Sequence, residues 1–177
     1  MNILVIGKGN VAFSLVPALE KAGHKVNNVS SRMEISVPED TDITIICTAD
    51  SGIKPVAEGL KTQSIVVHTS GSTDLEILKK RFTHCGVIYP IQTFSKNKTV
   101  DFENVPLLIE ASDNETFLKI EKLAASLSKD VRQMTSEQRK FLHLAAVFAC
   151  NFTNHFIAVS KVLTESNGVD FNLLKPL

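Results

Sequence analysis

The sequence predicts an α/β fold built on a parallel β-sheet, and three observations support this prediction. The chain has 177 residues, of which 44% are hydrophobic, so it can bury a core without disulfides or metals. Six short apolar runs, each bounded by turn residues, are spaced widely enough to leave room for helices between them. The runs at 43–47 and 65–68 are rich in β-branched residues and almost continuously apolar, as in strands covered on both faces.

The predicted strands lie at 3–6, 25–29, 43–47, 65–68, 86–89 and 105–110. Further along the chain, Thr135-Ser136-Glu137-Gln138 matches a capping box, in which the first and fourth side chains satisfy each other's backbone amides. It predicts the start of one long helix that ends near Asn167-Gly168. This helix divides the chain into a sheet domain at 1–134 and a helical segment at 135–177, which we expect to be the incomplete start of a second domain.

The long helix has two distinctive faces when each residue advances by about 100°. One face carries an aromatic stripe: Phe141, Phe148, Phe152 and Phe156. His143 and Asn151 lie on a narrow polar strip of an otherwise apolar cylinder. A helix that is apolar around most of its circumference is expected to be buried, so the strip is expected to line a cavity.

Charge and cysteine content exclude several classes of protein. The 19 lysines and arginines balance 19 aspartates and glutamates, which argues against a nucleic-acid partner because such binders need a basic face. The three cysteines lie far apart, so we expect reduced thiols in a cytoplasmic protein and no metal site. The longest apolar run is far shorter than the ~20 residues that span a bilayer, so no membrane is expected.

A glycine-rich motif follows the first predicted strand and opens a helix. It reads G-x-G-x-x-A, with the residues Gly7, Lys8, Gly9, Asn10, Val11 and Ala12. The first glycine permits a tight turn, the second lets the backbone approach a pyrophosphate, and the small third residue lets helix and strand pack closely. The motif therefore predicts a dinucleotide-binding, Rossmann-type parallel sheet; a plain tight turn is the alternative. Together with the long helix, it predicts a Rossmann-type sheet followed by a partial all-helical C-terminal domain.

The end of the second strand indicates which dinucleotide binds. An acidic residue that holds a ribose hydroxyl is expected there, but the chain has Ser30, Ser31 and Arg32. A guanidinium and two hydroxyls suit a 2′-phosphate, so the predicted cofactor is NADP(H). A solvated loop arginine is the alternative.

Other strand ends supply further candidates, because open α/β sheets bind ligands at the carboxyl ends of their strands. The predicted cofactor contacts there are Thr48, Ala49, Asp50, His68, Thr69 and Ser70. Asp50 could instead cap a helix, and His68 could instead be a hydrogen-bonded structural histidine. The predicted substrate contacts are Pro90, Gln92 and Thr93, although the proline could simply end its strand.

His143 and Asn151 are the candidate catalytic residues. Histidine can deliver a proton near neutral pH, and an amide can orient a carbonyl or imine. The alternative is a pair of buried polar residues bonded to each other or to backbone.

With these motifs in this order, the chain resembles Rossmann-like NADP oxidoreductases of the 6-phosphogluconate-dehydrogenase-like superfamily. It is most similar to the group known as deazaflavin-dependent NADP oxidoreductase-like, with a C-terminal domain of unknown function. More distant resemblances include pyrroline-5-carboxylate reductase and β-hydroxyacid dehydrogenases. The resemblance implies a helical second domain that often dimerises and supplies a catalytic lysine with an asparagine one turn on. This chain departs from that pattern, because its strip has His143, Val147 and Asn151, with Lys140 one turn earlier. Tyr89 stands where such relatives commonly place a histidine before the proline.

We therefore expect an NADP(H)-dependent oxidoreductase that reduces a small carbonyl or imine and forms a homodimer in the cytoplasm. The alternative from another class is a non-catalytic NADP-binding sensor or regulatory module, which the missing lysine favours. A weaker third possibility, hydride transfer from a reduced deazaflavin to NADP, rests on the resemblance alone.

Overall fold

The computed structural model describes residues 1–98 and 100–177. Within them, seven strands form one sheet: β1 Asn2–Ile6, β2 Lys25–Val29, β3 Ile43–Ile46, β4 Ile65–His68, β5 Cys85–Pro90, β6 Leu107–Ala111 and β7 Val131–Gln133. Their order is β2-β1-β3-β4-β5-β6-β7, and every neighbouring pair is parallel except β5 with β6. The predicted α/β fold class with a Rossmann-type sheet is confirmed.

Helices cover both faces of this sheet and create two hydrophobic cores. They are α1 Asn10–Lys21, α2 Asp50–Gly59, α3 Glu76–Lys79 and α4 Asn114–Ala125. Apolar side chains of α1 and α4 pack on one face, and those of α2 and α3 pack on the other. Because both faces are covered, β1, β3 and β4 are almost wholly buried, which explains their continuous apolar sequences.

The end of the sheet differs from the expected parallel pattern. β6 runs antiparallel to β5, with Ile88 opposite Ile109. The described residues of the connection, 91–98 and 100–106, contain a short 3₁₀ helix at Phe102–Asn104 and no crossover helix, so the chain turns back. β7 was not predicted, because it has three residues and two of them, Arg132 and Gln133, are polar.

The long helix forms as predicted but is not a uniform α-helix. It is continuous over Ser136–Glu165 and consists of α5 Ser136–Ala146, a π-helical turn at Val147–Phe152 and α6 Thr153–Glu165. The capping box is confirmed, since Thr135 N–H donates to Gln138 Oε1 at 3.1 Å and Gln138 N–H donates to Thr135 Oγ1 at 3.3 Å. The assumed advance of 100° per residue is wrong within the π-helical turn, because such a turn inserts an extra residue.

The chain divides into two compact units, Met1–Lys140 and Phe141–Leu177. The expected burial of the long helix is wrong for the isolated chain. No residue of its part beyond Lys140 is buried, and Phe141, Phe148 and Phe156 are each at least 60% exposed. The helix is also long and apolar enough to cross a membrane by length and composition alone. The predicted domain boundary near residue 134 stays a prediction.

Candidate functional site

A cleft at the carboxyl edge of the sheet lies where the strand order reverses. β1 pairs with β2 on one side and with β3 on the other, which is the switch point where open α/β sheets bind ligands. A cleft of about 950 Å³ opens there. Its walls are formed by Gly7, Lys8, Gly9, Asn10, Val11, Ser30, Ser31, Arg32, Cys47, Thr48, Ala49, Ser51, Gly52 and Lys96. We call this opening the switch-point cleft.

The glycine-rich loop forms the floor of the switch-point cleft. Gly7 has a φ of 126°, and a Cβ there would lie 2.3 Å from the carbonyl oxygen of Cys47, so only glycine fits. Asn28 holds this turn by donating from its side chain to the Gly7 carbonyl at 2.8 Å. α1 begins at Asn10, after an N-cap glycine that offers no side-chain bond to the first amides. Those amides remain available for an anion.

Ala12, the sixth residue of the motif, has a different role from the first five. It is 2% exposed and packs in the core between α1 and the sheet. The small side chain therefore allows the close approach of helix and strand that the motif requires. It does not line the cleft.

The predicted 2′-phosphate residues lie at the edge of the switch-point cleft, directly after β2. Ser30 and Ser31 are half-buried and Arg32 is exposed. The Arg32 backbone N–H donates to Ser30 Oγ at 3.3 Å, which orders the turn. All three residues line the cleft, as their position in the sequence predicts.

The electrostatics of the switch-point cleft favour a polyanion. Its walls carry three cations, Lys8, Arg32 and Lys96, and no carboxylate. Within residues 1–98 and 100–177, none of these cations forms an ion pair with an acidic side chain. The phosphates of a bound dinucleotide would neutralise these three cations.

Residues after β3 form the opposite wall of the cleft. Thr48, Ala49, Ser51 and Gly52 line it, whereas Asp50 does not. Ala49 is the N-cap of α2, so Asp50 lies in the first helical turn and is not the cap. Asp50 instead accepts a short hydrogen bond from the Ser72 hydroxyl. The buried Thr48 hydroxyl has no hydrogen-bond partner in the described part of the chain.

The candidates after β4 lie beneath the surface, outside the walls of the cleft. His68 is fully buried, and its Nδ1 accepts a hydrogen bond from the Ser70 backbone N–H at 3.2 Å. Burial, together with the charge of Arg139, lowers the pKa of His68 to about 3, so the ring is neutral near pH 7. The Thr69 hydroxyl lies 3.6 Å from Cys47 Sγ. The assignment of His68, Thr69 and Ser70 to the cofactor stays a prediction.

The thiol of Cys47 borders the cleft but is not a thiolate near neutral pH. Burial raises the pKa of the Cys47 thiol to about 12, so it stays protonated although it borders the cleft. Among the described residues, no group of three or more His, Cys, Asp or Glu side chains could hold a metal ion.

An ion pair between buried Arg139 and half-buried Glu110 fixes the start of the long helix to the sheet. Glu110, in β6, accepts hydrogen bonds from Arg139 Nη1 at 2.5 Å and from Ser136 Oγ at 2.7 Å. Arg139 is 1% exposed and also donates to the Thr73 carbonyl at 2.7 Å, while Ser136 Oγ accepts from the Leu75 amide at 3.0 Å. This cluster, which we call the Glu110–Arg139 anchor, joins α5 to β6 and to the loop after β4.

The predicted substrate residues lie where β5 ends. Pro90 is buried as the last residue of that strand, and Gln92 and Thr93 are exposed on the loop that follows. The Thr93 N–H donates to the Gln92 side chain at 2.8 Å. Their role toward a substrate stays a prediction.

The predicted catalytic residues lie in the second unit. His143 is half-buried in α5, and Asn151 is exposed in the π-helical turn. Such turns occur frequently at functional sites. The catalytic assignment of both residues stays a prediction.

Sequence reasoning missed five residues of the switch-point cleft region: Asn28, Cys47, Ser51, Gly52 and Lys96. Ser51 and Gly52 could have been found, because they directly follow Thr48-Ala49-Asp50 at a strand end. Asn28 and Lys96 carry no local motif. Their roles depend on contacts with residues far away in the sequence.

Comparisons with known proteins agree with this arrangement. Residues 105–177 match a domain of unknown function, DUF2520. A crystal structure of a putative NADP oxidoreductase from Bacteroides fragilis is 34% identical, with a TM-score of 0.86; the match covers 99% of this chain and 76% of that one. No curated protein matches the sequence.

More distant structures share the fold. A protein from Thermotoga maritima is 24% identical with a TM-score of 0.71, over 98% of this chain and 76% of that one. A reductive aminase from Aspergillus terreus, in complex with NADPH and ethyl-5-oxohexanoate, is 13% identical with a TM-score of 0.74. That match covers 99% of this chain and 71% of the aminase.

Proposed function

The chain belongs to the family of Rossmann-fold, 6-phosphogluconate-dehydrogenase-like NADP oxidoreductases that carry a DUF2520 domain, and we propose that it reduces a small carbonyl or imine with NADPH. One observation supports this function above all others. The switch-point cleft combines a glycine loop, a free helix start and three cations that pair with no carboxylate in the described chain.

The residues present fit an NADP dinucleotide. The volume of about 950 Å³ lies within the range of cofactor and ligand sites. Gly7 and Gly9 leave room for the pyrophosphate, and the amides at the start of α1 would bind it. Arg32 and Ser31 would hold the 2′-phosphate, since a guanidinium forms paired, charge-assisted hydrogen bonds with phosphate oxygens.

The chemistry divides between cofactor and protein. When bound, the nicotinamide supplies a hydride, while the protein must bind, orient and protonate the substrate. We assign the proton donor to His143 and substrate orientation to Asn151. His68 is a poor donor because its ring is neutral, and Lys140 is engaged with Asp74 at 2.8 Å. Gln92 and Thr93 are the proposed substrate contacts from the sheet unit.

We further propose that the protein is a cytoplasmic homodimer. The exposed rings of Phe148 and Phe152 stack with centroids 5.1 Å apart and form part of an apolar surface that a monomer rarely exposes. A second copy would cover this surface through a twofold contact. Cys47 and Cys85 are buried free thiols, which fits a reducing compartment.

Calorimetric titration with NADPH and NADH tests the cofactor assignment. Arg32→Ala should weaken NADPH binding by about ten- to a hundredfold and leave NADH almost unchanged, because only NADPH has the 2′-phosphate. Lys25→Ala is the matched control, since Lys25 is an exposed cation at the opposite end of the same strand. Equal losses for both dinucleotides would contradict the assignment of Arg32.

Oxidation of NADPH with small ketones, 2-oxo acids and cyclic imines then tests the reaction. Turnover with one of these classes would establish the substrate chemistry. A protein that binds NADPH tightly and turns over none of them would be the sensor or regulatory module.

A further inference from the structure

Among the described residues that line the switch-point cleft, Lys96 alone comes from the far side of the sheet. It lies on the loop after β5, among residues 91–98, whereas the other walls come from the ends of β1, β2 and β3. This is also the loop that carries Gln92 and Thr93.

The loop is held in place at its base, so the backbone that carries Lys96 is tethered to the sheet unit. Phe94 packs against the core and stacks on Phe102, with ring centroids 5.8 Å apart. The Ile91 N–H donates to the Pro106 carbonyl at 3.0 Å. A β-bridge between Ser95 and Lys98 closes a tight turn that has Lys96 at its tip.

The topology indicates which part of a dinucleotide Lys96 can reach. β4 and β3 separate β5 from β1, a distance of about 14 Å at about 4.8 Å per strand. The six residues from Ile91 to Lys96 can span about 20 Å when extended. A side chain arriving from β5 therefore reaches the glycine loop after β1 before it reaches Arg32, which follows the edge strand β2.

We propose that Lys96 binds the pyrophosphate of the dinucleotide across the cleft from the glycine loop. The inference rests on the proposed function. The backbone amides at the start of α1 would bind the diphosphate from one side, and the lysine ammonium would neutralise it from the other. No carboxylate competes for Lys96 in the described part of the chain. The loop after β5 would thus contact both cofactor and substrate.

The test compares dissociation constants for three probes: NADPH, NADH and adenosine 2′-phosphate. Lys96→Met should weaken binding of both dinucleotides by about five- to thirtyfold, because both contain the pyrophosphate. Binding of adenosine 2′-phosphate should not change, since it has no pyrophosphate. Lys98→Met is the matched control, because Lys98 is exposed on the same turn but does not line the cleft.

The possible outcomes separate this inference from the proposed function. Wild-type affinity of Lys96→Met for both dinucleotides would overturn the inference and leave the proposed function intact. A loss confined to NADPH and adenosine 2′-phosphate would place Lys96 at the 2′-phosphate and refute the pyrophosphate assignment. If the wild-type protein binds neither dinucleotide, the proposed function itself is wrong. Equal melting temperatures of both variants and the wild type would show that folding is unaffected.

Discussion

Alanine substitution at Gly7 should mainly destabilise the fold, whereas alanine substitution at Gly9 should mainly weaken cofactor binding. The two glycines are neighbours in one loop, but their surroundings differ. A Cβ at Gly7 would lie 2.3 Å from the Cys47 carbonyl oxygen, whereas the nearest atom to a Cβ at Gly9 is 4.0 Å away. Gly9 also has an ordinary backbone conformation, with φ −81° and ψ −172°.

The expected magnitudes follow from these distances. Gly7→Ala must adopt the unfavourable φ of 126° and push apart the ends of β1 and β3. Strain of this kind costs about 1 to 3 kcal/mol and overpacking a similar amount, so the melting temperature should fall by at least about 5 °C. Gly9→Ala should change it by no more than about 2 °C, because its methyl group enters the open cleft. That methyl group should nevertheless keep a pyrophosphate from the backbone and weaken NADPH binding at least about tenfold.

Thermal unfolding followed by circular dichroism, with and without NADPH, measures both effects. At a ligand concentration of about a hundred times Kd, wild-type protein should gain about 2.7 kcal/mol, or about 5 to 10 °C. Gly9→Ala should lose about 3 to 5 °C of this gain at the same concentration. A Gly9→Ala protein with the full wild-type gain, or a Gly7→Ala protein as stable as wild type, would refute the reasoning from the loop geometry.

Three further predictions concern other parts of the molecule. His143→Gln should reduce turnover by about 10²- to 10⁴-fold with little change in NADPH affinity, whereas Asn151→Ala should slow turnover and also raise KM. If the folded fraction of His143→Gln protein is fully active, His143 has a structural role. Burial lowers the pKa of His68 in the folded protein to about 3, below its ordinary value of 6.5, so the unfolded chain binds more protons between these pH values. The free energy of unfolding in urea should therefore fall as pH drops below 6.5, by up to about 1.4 kcal/mol per pH unit, and His68→Asn should flatten this slope. Light scattering should give about twice the chain mass of 19.4 kDa, and Phe148→Ser should shift the measured mass toward that of a single chain. A monomeric wild-type protein would contradict the dimer. Protein that can be recovered only with detergent would favour a membrane-associated helix.

Sequence patterns predicted the parts of the fold in which local chemistry determines the structure. β3 and β4 were predictable because both of their faces are buried, so almost every residue is apolar. The direction of β6 could not be predicted in this way, because its composition is the same for either orientation. Only the lack of a crossover helix in the described residues between β5 and β6 indicates the reversal. The π-helical turn has no sequence signal either, since one extra residue in a helix changes its geometry without changing its composition.

In the candidate site, too, residues within a local motif were predictable and residues placed by distant contacts were not. Gly7, Gly9 and Arg32 lie within one βαβ unit, so their spacing alone predicts their positions. Lys96 reaches the same cleft through a loop more than 60 residues away, and its position depends on the stacking of Phe94 on Phe102. A lysine in a polar loop resembles any other surface lysine until the tertiary structure is known.

The Glu110–Arg139 anchor determines where the polypeptide could be divided. A fragment ending at Met134 would contain every strand, yet it would lose the guanidinium that Glu110 binds and the donor that satisfies the Thr73 carbonyl. Arg139 is 1% exposed and Glu110 is 20% exposed, so loss of this pair should destabilise the fragment, by less than the roughly 3 to 5 kcal/mol that breaking a fully buried ion pair costs. A fragment ending at Lys140 keeps the whole anchor and the ion pair between Lys140 and Asp74. The first turn of the long helix therefore helps to stabilise the nucleotide-binding unit. In the sequence, however, this turn is the start of the helical segment.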